Sequence, residues 1–412
     1  MKERAAVVAT TTFGESAVRL EFGDIPSPYS TIERVAATAI EDYANFIQYQ
    51  LSAHGHQAYL VGGCVRDKLL NRPAKDFDVV TSALPDQIVG LFPNSGLVGA
   101  HFGVVLVRQG DLQVEVATFR SDGPYLDGRR PQNVHLGASL EADAHRRDFT
   151  INALYLDSQT GKILDPTGGQ QDLQLRLIRA IGNPEDRFSE DHLRMLRAVR
   201  FAAELDFTIE PQTLVAIQNL APRIRDVAAE RIRIELERAL PAGGAALFQE
   251  SGLAAALGLN PTFHAKTSHI AVHWAALLRN HPDGAFFDVL KIPNRDRAWA
   301  QALAANADRT GFQDQAEHKR LARQPWYPLL SELTGRDLGT YPASELWPKP
   351  LLTGADLQQL GIPPGPQYKQ ILQDLETAQL NGEITTKEDA LKFAIGTTFH
   401  EAAGPRQANS QE

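Results

Sequence analysis

The 412-residue chain has a single cysteine, Cys64. That excludes a disulfide framework and fits a reducing compartment. Nowhere do about 18 apolar residues run together, so the sequence offers no membrane-spanning helix. The opening MKERAAVVATTTFGES lacks an apolar core followed by a small-residue cleavage site, and no secretory leader is expected. Repeats of fixed period and low-complexity tracts are also missing. Positive charge is in deficit: 41 Lys and Arg stand against 50 Asp and Glu, a net charge of -9. Taken alone, this argues against a nucleic-acid binder, whose phosphate contacts require cations. A local basic face can survive such an average, and the arginines do cluster: Arg120, Arg129 with Arg130, Arg146 with Arg147, Arg194 to Arg200, and Arg223 to Arg233. With 43% hydrophobic content the chain can bury a sizeable core, in roughly two to four domains. A cytoplasmic protein is expected.

The pattern changes once along the chain. Residues 1–31 are Thr/Ser/Pro-flavoured and expected to be poorly ordered. Residues 32–54 carry helical apolar spacing. Short β-like runs follow (QAYLVGG, FDVVT, FGVVLVR, LQVEVATF, FTINALYLD, KILDPT), interleaved with the helix-like CVRDKLL and LPDQIVGLF. After about residue 183 the β signal stops. EDHLRMLRAVRFAAEL and AAERIRIELERAL are amphipathic, and helix-like segments with Pro/Gly breaks continue to about residue 400. The expected fold is α+β: a mixed-sheet head with helices over 32–182, then all-α segments, a neck at 183–245, a body at 246–335 and a tail at 336–400. Residues 401–412 are expected to be disordered.

The stretch KDFDVVT sets Asp76 and Asp78 two residues apart. In an extended chain they point to the same side, where two carboxylates repel unless a cation lies between them. Upstream, an apolar strand ends at Gly62 and Gly63 and a helix-like segment follows. Glycines there let the backbone approach a ligand, and Arg66 can reach a phosphate. A phosphate cradle before a carboxylate pair makes Mg²⁺ the simplest bridging charge, a hard cation held by a few carboxylates and substrate phosphates. Glu115, between valines in LQVEVATF, supplies a third acid for a two-metal site that activates an attacking oxygen and stabilises leaving pyrophosphate. Asp76 and Asp78 are the candidate metal ligands, with Glu115 as base or third ligand. Separately, Asp191 and Arg194 in EDHLR fall at i, i+3 and are expected to share one helix face. Alone, the pair reads as a helix start with ordinary salt bridges.

These stretches occur in an order that resembles one family. LVGGCVRDKLLNRPAKDFDVVT, RRDFTINAL, DPTGGQQDL, EDHLR and ERIRIEL, spread over residues 60–240, are similar to five successive motifs of the class II tRNA nucleotidyltransferase and bacterial poly(A) polymerase family, within the DNA polymerase β superfamily. The resemblance implies a polymerase-β-like head with Mg²⁺ as cofactor. It implies triphosphate binding by Gly62, Gly63 and Arg66, and ribose contacts from Arg147 and Asp148, with Asn152 in the same motif. Asp191 and Arg194 would choose the base, with Arg197 one turn further on. DPTGG would be a hinge and ERIRIEL a structural brace. CTP, ATP and the tRNA 3′ end, recognised through acceptor stem and elbow, would be the partners, with no membrane involved.

The chain also departs from relatives. Many carry a phosphohydrolase His-Asp pair after the neck; here Arg279 and Asn280 stand in HWAALLRNH and no His-Asp dipeptide occurs anywhere. No phosphohydrolase activity is expected, and His269 and His273, though i, i+4, read as structural. The basic segment ahead of the third acid and the basic C-terminal extension of gammaproteobacterial-type poly(A) polymerases are both missing. The loop from Ser121 to His145 has the length that, in the family, accompanies addition of the terminal A. The expectation is CCA addition; an A-only enzyme, a poly(A) polymerase and an idle RNA-binding protein of the same fold remain the alternatives.

Overall fold

The computed structural model describes residues 31–74, 76–97, 102–123 and 131–402, with side chains described for 38–396. The two expected disordered ends fall almost wholly outside these residues. Helix α1 (Thr31–Ala53) buries Tyr43, Ala44, Ile47 and Leu51, a helical stripe, against the sheet of the head. The sheet contains β1 (Ala58–Val61), β2 (Asp78–Thr81), β3 (Ser95–Leu97), β4 (Val104–Gln109), β5 (Leu112–Thr118), β8 (Tyr155–Leu156) and β9 (Ile163–Leu164). Their order is β3-β4-β5-β2-β1-β8-β9. Only β2 and β5 run parallel; every other neighbouring pair is antiparallel. A separate ribbon pairs β6 (Arg120–Asp122) with β7 (Val134–Leu136) and takes up part of the segment expected as a loop from Ser121 to His145, whose last six residues are helical.

Alternation along β2 separates two environments. Val79 joins the main core under α1, whereas Val80 belongs to a smaller cluster on the opposite face with Val61, Phe119 and Tyr155. Asp78 shares that second face by its period-two position. Helices α2 (Gly63–Leu69), α3 (Pro85–Leu91), α4 (Leu140–His145) and α5 (Gly169–Leu175) complete the head. A Cβ at Gly169 would stand 2.2 Å from the Thr150 carbonyl oxygen, so only glycine allows α5 to close on that backbone. Cys64 is packed in the core, where burial pushes its thiol up to about 11.

Three expectations need correction. FTINAL is not one strand: Thr150–Asn152 form a 3₁₀ turn before the two-residue β8. Asp148 causes this by accepting from Phe149 N–H (2.8 Å) and Asn152 Nδ2 (3.2 Å), while Thr150 Oγ1 donates to buried Asp172 (2.7 Å). The β signal does not stop at 183, because β11 (Thr208–Ile209) pairs in parallel with β10 (Leu177–Ile178). EDHLR is not continuous helix. The neck helices α6 (Pro184–Glu190) and α7 (Leu193–Leu205) are interrupted at Asp191, which has extended backbone (φ -146°, ψ 104°).

Beyond α7 come α8 (Pro211–Leu220), α9 (Ala229–Ala239) and further helices, including Ile270–Asn280, Asn294–Asn306 and Tyr327–Thr334 in the body. One hydrophobic core runs from Tyr43 to Leu330, and residues 352–394 have a second around Leu357, Ile371 and Leu375. The two meet at polar contacts: Lys319 Nζ donates to Leu380 O (2.9 Å), and Arg323 pairs with Glu376 (2.8 Å). Among the described residues no helix is long and apolar enough to cross a membrane.

Candidate active site

A recess of about 580 Å³ lies between the open face of the head sheet and α7. Its lining brings together most of the residues singled out in the sequence: Gly62, Gly63, Arg66, Asp76, Asp78, Arg147, Asp148, Asn152 and Arg197. The turn after β1 explains the glycine at 62. Gly62 has φ +79°, and a Cβ there would lie 3.9 Å from Arg147 Nη1. A side chain would be strained in this conformation and would fill the approach to the recess.

The acids are set by the sheet. Parallel pairing places Asp78 beside Glu115 in register, and antiparallel pairing places it beside Val61. Glu115 is exposed between buried Val114 and Val116, so the lone acid of the strand faces the open side. Asp78 keeps solvent contact at the floor of the recess while protein crowds it from most directions. Burial, followed by the charge of Glu115, pushes its carboxyl up to about 6; Arg147 pulls it back and Asp76 adds to the rise. Like charges held together this way suit a divalent cation. Among the described residues no three acidic, histidine or cysteine side chains already converge on one point. Asp76 and Asp78 line the recess as a pair, which offers part of a ligand set to a hard ion that also takes water and substrate phosphates.

The opposite wall is cationic and tightly paired. Arg66, mostly buried, donates to Asn152 Oδ1 (2.8 Å) and pairs with Asp67 (2.9 Å). Its guanidinium lies 5.2 Å from the ring of Phe201, which also takes Arg197 at 5.3 Å and Arg200 at 4.1 Å. One aromatic ring thus sits among three like charges. Asp148 accepts from Arg197 Nε (2.8 Å) and Nη2 (2.6 Å). Burial alone would raise its carboxyl, but Arg197 and then Arg194 hold it down at about 2. The sequence reading missed Phe201 and Arg200, although Phe201 follows Arg197 by one helical turn and so shares its face. It also missed Asp143, which precedes Arg147 by the same interval.

Asp191 and Arg194 do not line the recess. They stand beside it in the α6–α7 break, tied to it by Arg194 Nη2 donating to Arg146 O (3.2 Å). Asp191 Oδ1 accepts from Leu193 N–H (3.1 Å) at the start of α7, and Arg231 of α9 pairs with Asp191 at 2.8 Å. Arg194 pairs with Glu190 at 2.5 Å. Both side chains therefore also hold the neck together, and a base would have to share or displace Arg231 and Glu190.

In the body, Arg279 pairs with Asp308 (2.7 Å), and Asn280 Nδ2 donates to Thr262 Oγ1 (2.8 Å), beside a hollow of about 340 Å³. His269 caps the helix by accepting from Ala271 N–H (3.1 Å). His273 is buried, which pushes its imidazole down to about 4.

Comparison with known proteins gives the family and the fold. Residues 58–179 match the family model of the poly(A) polymerase head domain, and residues 206–257 match that of the probable RNA and SrmB-binding site of polymerase A. A CCA-adding enzyme of Geobacillus thermodenitrificans (strain NG80-2) is 36% identical over 378 residues, covering 83% of this chain and 93% of that protein. The crystal structure of the Bacillus stearothermophilus CCA-adding enzyme in complex with CTP matches with a TM-score of 0.69 and 32% identity, over 88% of this chain and 99% of that one. A Thermotoga maritima CCA-adding enzyme complexed with tRNA shares the fold alone, at 18% identity, a TM-score of 0.63 and coverage of 87% and 96% of the two chains. The chain belongs to the family of class II CCA-adding enzymes and bacterial poly(A) polymerases.

Proposed function

We infer that this protein is a template-independent tRNA nucleotidyltransferase that adds CCA to tRNA 3′ ends from CTP and ATP, acting in the cytoplasm. The observation that carries the mechanism is Asp76 and Asp78 facing an arginine wall across one recess, with Glu115, which does not itself line the recess, in register beside Asp78 on the neighbouring strand. Asp76 and Asp78, with Glu115 as third ligand or base, are the residues that would hold Mg²⁺. When bound, it lowers the pKa of the attacking 3′-hydroxyl and neutralises charge on the departing pyrophosphate.

The chain's own groups do the rest. Arg66 binds phosphates beside the Gly62–Gly63 turn, which lets the triphosphate lie against backbone. Arg147, expected from the sequence to contact the ribose, is assigned to the phosphates instead because its Nη1 stands at the Gly62 turn. Asp148, kept ionised by Arg197, accepts from a ribose hydroxyl. Asn152 fixes Arg66 from the side. Asp191 accepts the exocyclic amine of C or A, and Arg194 donates to the acceptor beside it. U or G would oppose acceptor to acceptor, and each such polar mismatch costs about 1–3 kcal/mol. The relative solved with CTP, at 32% identity, supports the nucleotide assignment.

The deciding assay offers purified protein two tRNAs, one ending at the discriminator base and one ending in CC, with labelled CTP or ATP and Mg²⁺. The expected result is CCA added to the first and a single A to the second, with no further growth. Extension of the CC-ended tRNA alone would replace this reading with an A-only enzyme. A long A ladder would make it a poly(A) polymerase. No incorporation at all would leave an RNA-binding protein.

A further inference from the structure

Arg147 enters the recess with its orientation already fixed from behind. Asp143 of α4 is fully buried, yet its carboxylate is saturated. Oδ1 accepts from Arg146 Nε (2.9 Å) and Nη2 (2.7 Å), and from the Arg120 N–H (3.4 Å). Oδ2 accepts from Arg147 Nε (3.1 Å) and Nη2 (3.0 Å), and from the Tyr155 hydroxyl (2.9 Å). Tyr155, equally buried in β8, accepts a second bond from Arg147 Nε (3.1 Å), and its ring lies 5.4 Å from the guanidinium.

One arginine would have sufficed to neutralise a buried carboxylate. The geometry adds direction. Arg147 spends Nε and Nη2 on Asp143 and Tyr155, and Nη1 makes none of those bonds. Nη1 is the Arg147 atom that faces the Gly62 turn, 3.9 Å from where a Cβ there would stand, and the Arg147 charge is felt at Asp78. Asp143 and Tyr155 do not line the recess themselves. We infer that Asp143 and Tyr155 are positioning residues that aim Arg147 Nη1 at the phosphates of the incoming nucleotide. This rests on the nucleotidyl-transfer reading and deepens it. Pre-setting the guanidinium removes the ordering that a flexible arginine would undergo at each binding event. The protonation states suit the task. Burial would raise the Asp143 carboxyl, but Arg147 and Arg146 outweigh it and keep the group ionised. Burial pushes the Tyr155 hydroxyl up, so it stays a donor.

A residue that works through Arg147 matters only while Arg147 is there. The test is a double-mutant cycle on the full chain, reading equilibrium binding of CTP and ATP together with KM and kcat for incorporation into tRNA lacking CCA. Tyr155→Phe is expected to weaken binding of both nucleotides by one common factor of about five, and Asp143→Asn by about thirtyfold. Both losses should fall mainly on KM, with selection of C and A over U and G unchanged. In an Arg147→Ala background each should cost less than about twofold. Equal losses with and without Arg147 would overturn the inference, and so would wild-type nucleotide binding by Tyr155→Phe. That variant keeps every charge and carries the test if Asp143→Asn fails to fold. Should the wild-type chain incorporate no nucleotide, the reaction assignment falls, and the cycle of CTP binding alone still decides whether Arg147 is aimed in this way.

Discussion

The two walls of the recess treat charge in opposite ways. On the acid wall burial, then the charges of Glu115 and Asp76, push the Asp78 carboxyl up to about 6, with Arg147 as the counterweight. On the arginine wall each charge has a partner: Asp148 with Arg197 at 2.6 Å, Glu235 with Arg200 at 2.6 Å, Asp143 with two arginines. The difference separates two jobs. Charge is left uncompensated where a ligand will compensate it, and paired where geometry must be set before the ligand arrives.

The largest effect should come from Asp78. Replacing it by Asn is expected to lower nucleotide incorporation about a thousandfold or more, while the fold gains about 1 kcal/mol at pH 7, a figure discounted for the water that reaches this carboxylate. The sign follows from the raised pKa. A carboxyl that titrates near 6 in the fold, against 3.8 ordinarily, favours the folded state while protonated. That advantage is held at low pH and lost as pH climbs from about 4 through 6. Thermal melts at pH 5 and pH 7.5, with and without Mg²⁺, should show the wild type losing stability relative to Asp78→Asn at the higher pH and recovering it with the ion. Reading the difference between the two proteins cancels the opposite contribution of buried His273, which stabilises the fold as pH rises from about 4 to 6.5. A variant that melts earlier than wild type at pH 7.5 would mean that Asp78 is a structural group, and the contrast between the walls would fail.

Asp148 should behave in the reverse sense on both axes. Its carboxyl is held at about 2, so it stabilises the fold above the ordinary carboxylate value and loses that contribution as pH falls toward 2. Asp148→Asn is expected to lower incorporation about a hundredfold and to destabilise by about 2 kcal/mol, because Arg197 then loses its charged partner. Melting curves and single-turnover incorporation together separate the two losses. A variant as stable as wild type would show that the pairing does not preorganise this wall.

The contrast was only half legible in the sequence. The acid wall needs few residues: a period-two spacing fixes Asp76 and Asp78, and one further strand brings in Glu115. Both features survive as printed in the chain. What spacing could not show is that β2 and β5 run parallel in register, which is what puts Glu115 beside Asp78. The arginine wall depends on non-local partners. Asp148 meets Arg197 from 49 residues away, and Arg66 meets Asn152 from 86. The family motifs supplied those names; periodicity did not. Local propensity also misjudged two stretches for one reason. In FTINAL and EDHLR an aspartate side chain bonds to nearby backbone N–H groups and bends a run that apolar pattern alone would extend.

The smallest expected effect tests whether pairing by itself marks a functional wall. Arg238 lines the same recess and pairs with Glu204 at 2.9 Å, as neat a contact as those deeper in. Its side chain is 57% exposed, however, against 10% for Asp148. Water screens the pair and the long side chain loses little by letting go, so such contacts are worth roughly 0–1 kcal/mol. Arg238→Ala should therefore change melting by less than about 0.5 kcal/mol and KM for CTP by less than about twofold. A tenfold rise in KM for tRNA with CTP unaffected would move Arg238 from a screened rim contact to part of the RNA path. The arginine wall would then extend beyond the nucleotide, with burial no longer separating the groups that act from those that do not.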